Sequence, residues 1–349
     1  MTAAPTTETH PLATALTAVR PQVPVDRLVT DLVPPRHFAR ARFATYRANP
    51  AHPSQGRALA RLQEIAEQVA APRRGLFARR KAAPAVYLDG GFGVGKTHLL
   101  TSLAHAVGEV LGTDAVAYGT FVEYTNLVGA LGFRPTVEAL GAKKLVCIDE
   151  FELDDAGDTT LMSRLMRELA DRGVALAATS NTLPGALGEG RFAAQDFQRE
   201  IKALSDRFET LRVDGEDYRH RDVVTDTEPL TEAEVTAAAA ARPGTTLDTF
   251  DDLLAHLATV HPSRYGALLD GVTAVALTGV HPVTAQAVAL RLVVLVDRLY
   301  DRDVPVLLGG DGDTRTLFTP EMLASGYRKK YYRALSRLGA LAEEGRALV

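Results

Sequence analysis

The stretch Gly90-Gly91-Phe92-Gly93-Val94-Gly95-Lys96-Thr97 limits what this chain can fold into more than any other. It fits G-x-x-x-x-G-K-[ST] at every fixed position. Its flanks give the pattern a structure. Ahead of it, Ala85-Val86-Tyr87-Leu88 is a short apolar run that predicts a buried strand. Behind it, His98 to Val107 carries apolar residues at helical spacing. Strand, glycine loop and helix in that order make a cradle for phosphate oxygens. The glycines let backbone amides turn inward, and the helix adds its positive N-terminal end. Lys96 supplies a point charge for the outer phosphates, and the Thr97 hydroxyl suits magnesium. The expected nucleotide contacts are therefore Gly90, Gly91, Phe92, Gly93, Val94, Gly95, Lys96, Thr97 and His98. A glycine-rich turn with a chance lysine would not explain the flanks.

A chain of 349 residues is long enough for two domains and a sizeable core. Its hydrophobic content of 46% and charged content of 23% are those of an ordinary globular protein. The net charge of −4 gives no general attraction to nucleic acid or anionic membrane, so either contact would need a local patch. The single cysteine, Cys147, excludes an internal disulfide and lies in an apolar run, as a buried structural thiol does. No run approaches the ~20 apolar residues of a membrane span. Met1 to Pro24 lacks the pattern of a secretion signal and is rich in Ala, Thr and Pro. These features predict a disordered tail and a cytoplasmic protein.

Residues 25–83 read as an N-terminal helical segment. Phe38, Phe43 and Tyr46 form an aromatic group suited to the core, and Ser54 is placed to cap a helix running to about Val69. Residues 73–81 hold five basic side chains in nine, either a solvated loop or a patch for an anionic partner. From 84 to 224, strands alternate with helices, which predicts a mainly parallel five-stranded sheet. The strands expected after the first are Ala115–Gly119, Lys144–Ile148, Val174–Ala178 and Phe208–Val213. Residues 185–194 read as a loop and Phe197–Ser205 as a helix. Residues 225–349 change character and read as an α+β region. Thr231-Glu232-Ala233-Glu234 is a capping box, and strands are expected at Val272–Leu277 and Val304–Leu308. A long helix over Thr284–Tyr300 and a last helix opened by Thr319-Pro320 complete the region.

Asp149-Glu150 closes the buried strand about fifty residues after the glycine loop. In a parallel sheet that carboxyl end lies at the ligand-binding edge. Asp149 then holds magnesium together with Thr97, and Glu150 polarises the attacking water. Asn181 ends the next strand, where an amide orients water or touches the γ-phosphate, or simply occupies a turn. Arg207 precedes the fifth strand, either as an arginine finger for a neighbouring subunit or as a helix-end surface cation. Arg333 and Arg337 lie four apart on the last helix and either reach back to phosphates or face solvent.

This order of parts resembles an AAA+ ATPase. A closer resemblance is to the ZapE/AFG-like ATPases. Cys147-Ile148-Asp149-Glu150-Phe151 with Asp155 and Asp158 is similar to that family's "DEF…D…D". Thr179-Ser180-Asn181 with Pro184 is similar to "TSN..P", and Asp214 to Arg219 to "DG.DYR". Pro53-Ser54-Gln55 is similar to "PSQ". Arg291 with Leu299-Tyr300-Asp301, and Arg333 to Leu338, are similar to its late motifs. The resemblance implies a P-loop AAA+ core with a C-terminal lid or partner region, using ATP and Mg²⁺. It also implies catalytic roles for Lys96, Glu150, Asn181 and Arg207, and ring assembly as a homo-oligomer. For bacterial members it implies action on FtsZ or another division protein at the division site, with peripheral membrane contact left open; the lack of a recognisable DNA-binding module after the core predicts no specific nucleic-acid binding. The chain departs from the family at His98, where an aromatic is usual, at Thr182, and over Gly188–Ile201. "GKTHLL" is closer to replication initiators and helicase loaders, which keeps a DNA-linked loader as the alternative.

Overall fold

The computed structural model describes residues 15–21, 25–71, 82–91, 93–151, 156–182, 202, 206–216, 230–310 and 314–349. Phe92, the basic run at 73–81, Asp155, Pro184, the 185–194 loop and Asp217–Arg219 lie outside the described residues, as does nearly all of the 197–205 segment. The chain forms two compact units, one of Pro24–Val223 and one of Met1–Val23 with Val224–Val349.

The first unit is built on five parallel strands: β1 Ala85–Asp89, β2 Val116–Thr120, β3 Leu145–Asp149, β4 Ala175–Ser180 and β5 Glu209–Arg212. Their order across the sheet is β2-β3-β4-β1-β5. Every residue of β3 and β4 is buried, which is why these strands are apolar up to their polar carboxyl ends, Asp149 and Thr179-Ser180. After a short helix α1 (Val25–Thr30), helices cover both faces. Helices α2 (Pro53–Ala70) and α3 (Lys96–Leu111) bring Leu62, Ile65, Leu99, Leu103 and Val107 to one face. Helices α4 (Phe121–Leu131), α5 (Phe133–Gly141) and α6 (Ala156–Asp171) bring Phe121, Leu127, Leu140 and Leu165 to the other. Each such side chain contributes ~1.5–3 kcal/mol on burial. Helix α5 has no counterpart in the sequence reading, because its Pro135 and flanking glycines mimic a loop.

The second unit combines strands and helices, as expected. Its strands β6 Thr245–Thr249, β7 Ala274–Thr278 and β8 Val306–Leu308 form a parallel three-stranded sheet. Strand β6 went unpredicted because its run, Thr-Thr-Leu-Asp-Thr, is polar. Its Asp248 is 5% exposed and accepts hydrogen bonds from Leu16 N at 2.8 Å and from Thr17 N and Oγ1 at 3.0 and 2.6 Å. Residues 15–21 are thus not part of a disordered tail: Leu16 is fully buried in this unit. The capping box at Thr231 and Glu234 forms as predicted. Thr319 caps only a short helix, Pro320–Ala324, and a separate helix runs over Arg328–Arg346. From it, Arg333 Nη2 and Arg337 Nη1 bind Asp297 at 2.8 and 2.5 Å. Both guanidiniums are therefore engaged by an acid of their own unit. Burial alone would raise the Asp297 pKa, but the two guanidiniums outweigh it and hold the carboxyl below the usual range. Asp297→Ala is expected to cost about 3 kcal/mol, because it strands two half-buried cations; a lowered urea midpoint checks this. No helix among the described residues is long and apolar enough to cross a membrane.

Candidate functional site

The glycine loop leaves the carboxyl end of β1, and α3 begins at Lys96. Two of its glycines are required by space and angle. A Cβ on Gly90 would meet the carbonyl oxygen of Val213 at 2.1 Å, and Gly95 has φ +90° with the Tyr46 ring 2.7 Å from any added Cβ. Lys96 is 8% exposed. Its ammonium donates to Gly90 O at 2.8 Å, to Gly91 O, and to Asn181 Oδ1 at 2.8 Å. The parallel register explains the last contact, since β4 pairs directly with β1 and Asn181 follows its end.

Asp149 ends β3 and is buried. Thr97 Oγ1 donates to its Oδ1 at 3.4 Å. Thr179 Oγ1 also donates to Oδ1, and Tyr118 OH donates to Oδ2 at 2.9 Å. Burial, and then the nearby Asp149 charge, push the Tyr118 phenol well above its ordinary pKa, so it remains a donor. Glu150 is half-buried and holds φ +53°, a left-handed conformation unusual for a residue with a side chain. Thus Lys96, Thr97, Asp149, Glu150 and Asn181 gather at one sheet edge, as their spacing predicted.

Thr97 and Asp149 offer two hard oxygens side by side, and no group of three or more His, Cys, Asp or Glu among the described residues forms a metal cage. That donor set fits magnesium, which takes few protein ligands and completes its shell with water and phosphate oxygens. The His98 ring is held by residues ahead of α2. Its Nε2 lies 3.0 Å from Thr45 Oγ1 and 3.2 Å from Arg42 O, and its ring meets Tyr46 edge-on. Its side chain belongs to the wall beneath the loop. Arg207 precedes β5, at the sheet edge opposite the loop, 3.8 Å from Asp171 at the end of α6. It is not part of the Lys96–Asp149 cluster.

Several contributors escaped sequence reasoning. Tyr46 OH donates to Val94 O at 3.2 Å. Ser54 lies inside the first turn of α2 and caps nothing; His52 holds the cap position. Ser54 Oγ instead accepts from Asp214 N at 3.0 Å, while Gln55 Nε2 donates to Asp214 O at 2.7 Å. Arg212 binds Asp89 and Asp214, and with Ser54 holds the Asp214 carboxyl below its usual pKa. The "PSQ" and "DG" motifs were the only signal of this pairing, and neither says what it touches.

The family model described as AFG1-like ATPase matches residues 22–232 and 223–346 of the chain. Cell division protein ZapE of Escherichia coli K12 is 30% identical over 145 residues, 39% of this chain and 38% of that protein. An uncharacterized protein of Schizosaccharomyces pombe is 26% identical over 147 residues, 38% of this chain and 32% of that protein. The aligned stretches thus span well under half of these relatives. Among solved structures, domain III of the Thermotoga maritima replication initiation protein DnaA has 19% identity and a TM-score of 0.40, covering 57% of this chain and 71% of that one.

Proposed function

We propose that this chain, which belongs to the AFG1-like ATPase family, hydrolyses ATP at the edge of its five-stranded sheet and uses the cycle to remodel a protein partner. The observation that carries the reading is the convergence of Lys96 on Asn181 at 2.8 Å and of Thr97 on Asp149 at 3.4 Å, from one helix and the ends of two separate strands. Lys96 and the loop amides bind phosphates. Thr97 and Asp149 hold Mg²⁺, which when bound neutralises charge building on the phosphate oxygens. Glu150 takes the proton of the attacking water. Asn181 senses the γ-phosphate. Release of phosphate from ATP by the purified chain, abolished by chelating magnesium, tests this directly.

Arg207 serves a neighbouring copy in a homo-oligomeric ring. Its place at the sheet edge opposite the loop supports a role in trans. Arg207→Ala is expected to remove any rise in specific activity with protein concentration, checked by phosphate release across a dilution series. A surviving rise would locate the finger elsewhere.

The partner we infer is the FtsZ ring or another division protein, in the cytoplasm at the division site. The relative named for cell division supports this choice. Hydrolysis would cycle the C-terminal region against that partner. Co-sedimentation with polymerised FtsZ, with and without ATP, tests it: ATP-dependent pelleting is expected, and absence of pelleting in both states would overturn the FtsZ assignment. The loader alternative drew on His98 and on the basic run. The first is engaged by Thr45 and Arg42, and the second lies outside the described residues, so neither supports it.

A further inference from the structure

Strands β2 and β4 flank β3, and each sends a hydroxyl to the carboxylate of Asp149. We propose that Thr179 and Tyr118 are positioning residues of the hydrolytic site, fixing the Asp149 carboxylate and the Glu150 main chain in the orientations that magnesium and the attacking water require. The proposal rests on the ATPase reading.

Thr179 holds three consecutive residues. Its hydroxyl donates to Asp149 Oδ1 and accepts from Glu150 N at 3.1 Å, while its carbonyl accepts from Phe151 N at 2.7 Å. A hydroxyl is the small group that can donate to a carboxylate and accept from an amide at once. Valine has a similar shape and can do neither. The hold matters because Glu150 has φ +53°, a sparsely populated conformation that persists where surrounding contacts over-determine it. That angle sets the direction in which the Glu150 side chain leaves the strand end. The same threonine therefore governs the metal-facing carboxylate and the water-facing one.

Tyr118 secures the other oxygen. Its hydroxyl donates to Asp149 Oδ2 at 2.9 Å and stands 3.3 Å from Thr101 Oγ1, which can donate to it. Thr101 lies one turn beyond Thr97 on α3. Asp149 is thus tied to α3 twice, directly through Thr97 and indirectly through Tyr118 and Thr101. With both oxygens engaged, the carboxylate cannot turn about its Cβ–Cγ bond without breaking a bond to a buried hydroxyl. If these hydroxyls only satisfied a buried acid, their loss would lower stability and leave the metal requirement alone.

The test uses the full chain carrying Thr179→Val, Thr179→Ser or Tyr118→Phe. Two quantities are read: the magnesium concentration for half-maximal ATP turnover, and the affinity for fluorescent ADP in EDTA and in magnesium. Thr179→Val should raise the half-activating magnesium concentration and lower kcat, each by about tenfold, the factor expected for one lost hydrogen bond to a charged group. Its affinity in EDTA should stay within about twofold of wild type, and Thr179→Ser should restore most of both losses. Tyr118→Phe should raise the magnesium requirement by about threefold or more. A wild-type magnesium requirement in Thr179→Val, or equal losses of affinity with and without magnesium, would overturn the proposal. If Thr179→Val does not fold, Tyr118→Phe decides by the same criterion. Absence of magnesium-dependent turnover in the wild type would instead overturn the ATPase reading, and the proposal with it.

Discussion

Replacing Glu150 with Gln is expected to lower ATP turnover by about a hundredfold or more while leaving ATP affinity within about twofold of wild type. The reason is chemical rather than steric. Glutamine has the shape of glutamate but cannot take a proton from water. The backbone restraints on residue 150 also survive the exchange, because Thr179 and Asp149 both grip its main-chain amide, at 3.1 Å each. The variant therefore separates binding from chemistry. Phosphate release under single-turnover conditions, beside equilibrium titration with ATP, reads both. Unchanged turnover would remove Glu150 from its assigned role and require another base at this edge. Loss of binding as well would mean that the substitution had disturbed the strand end.

Replacing Lys96 with Ala should act on the other half of the cycle. Its ammonium reaches Gly90 O and Asn181 Oδ1 at 2.8 Å, so it lies within the loop that is to receive phosphates. Charge-assisted hydrogen bonds to phosphate are among the stronger polar contacts. Losing them is expected to weaken ATP binding by about a hundredfold, equivalent to ~3 kcal/mol. Calorimetric titration with ATP and magnesium checks this. Affinity within about threefold of wild type would show that the loop is not the phosphate site. The two variants give opposite patterns. Alanine at 96 abolishes turnover through binding, whereas glutamine at 150 leaves a nucleotide-loaded chain that does not turn over. That second form is suited to capturing a partner.

The N-terminal segment has a consequence for how such experiments are built. Leu16 is fully buried in the second unit, and the neighbouring amides cap Asp248. Arg20 Nη1 lies 2.7 Å from His256 Nδ1, on a ring whose pKa is lowered by burial and then by that guanidinium. A truncation intended to remove a disordered tail would instead expose the Asp248 carboxylate and leave it without these donors. The assays above therefore require the chain with this segment intact.

What could be read from local order is what local chemistry dictates. The glycine loop needs residues that tolerate left-handed and crowded backbone, so Gly90 and Gly95 announce it without any knowledge of partners. Strands buried on both faces must be apolar along most of their length, so β1, β3 and β4 were legible to within a residue or two, and parallel order then put Asp149-Glu150 and Asn181 at the loop's edge. Partners across the chain leave no such trace. Ser54 and Asp214 meet although they are 160 positions apart, and Leu16 and Asp248 although they are 232 apart. Tyr118 is merely a tyrosine in a strand until folding sets it against Asp149. His98 follows the loop in sequence, yet its ring was claimed by Arg42 and Thr45; Arg333 and Arg337 form a helical pair whose common acid, Asp297, lies on another helix. Residue type and spacing carry the backbone's conformational needs and the burial of each strand. Which polar groups meet is left to packing, because a hydrogen bond is short and directional while its two ends are free to come from anywhere in the chain.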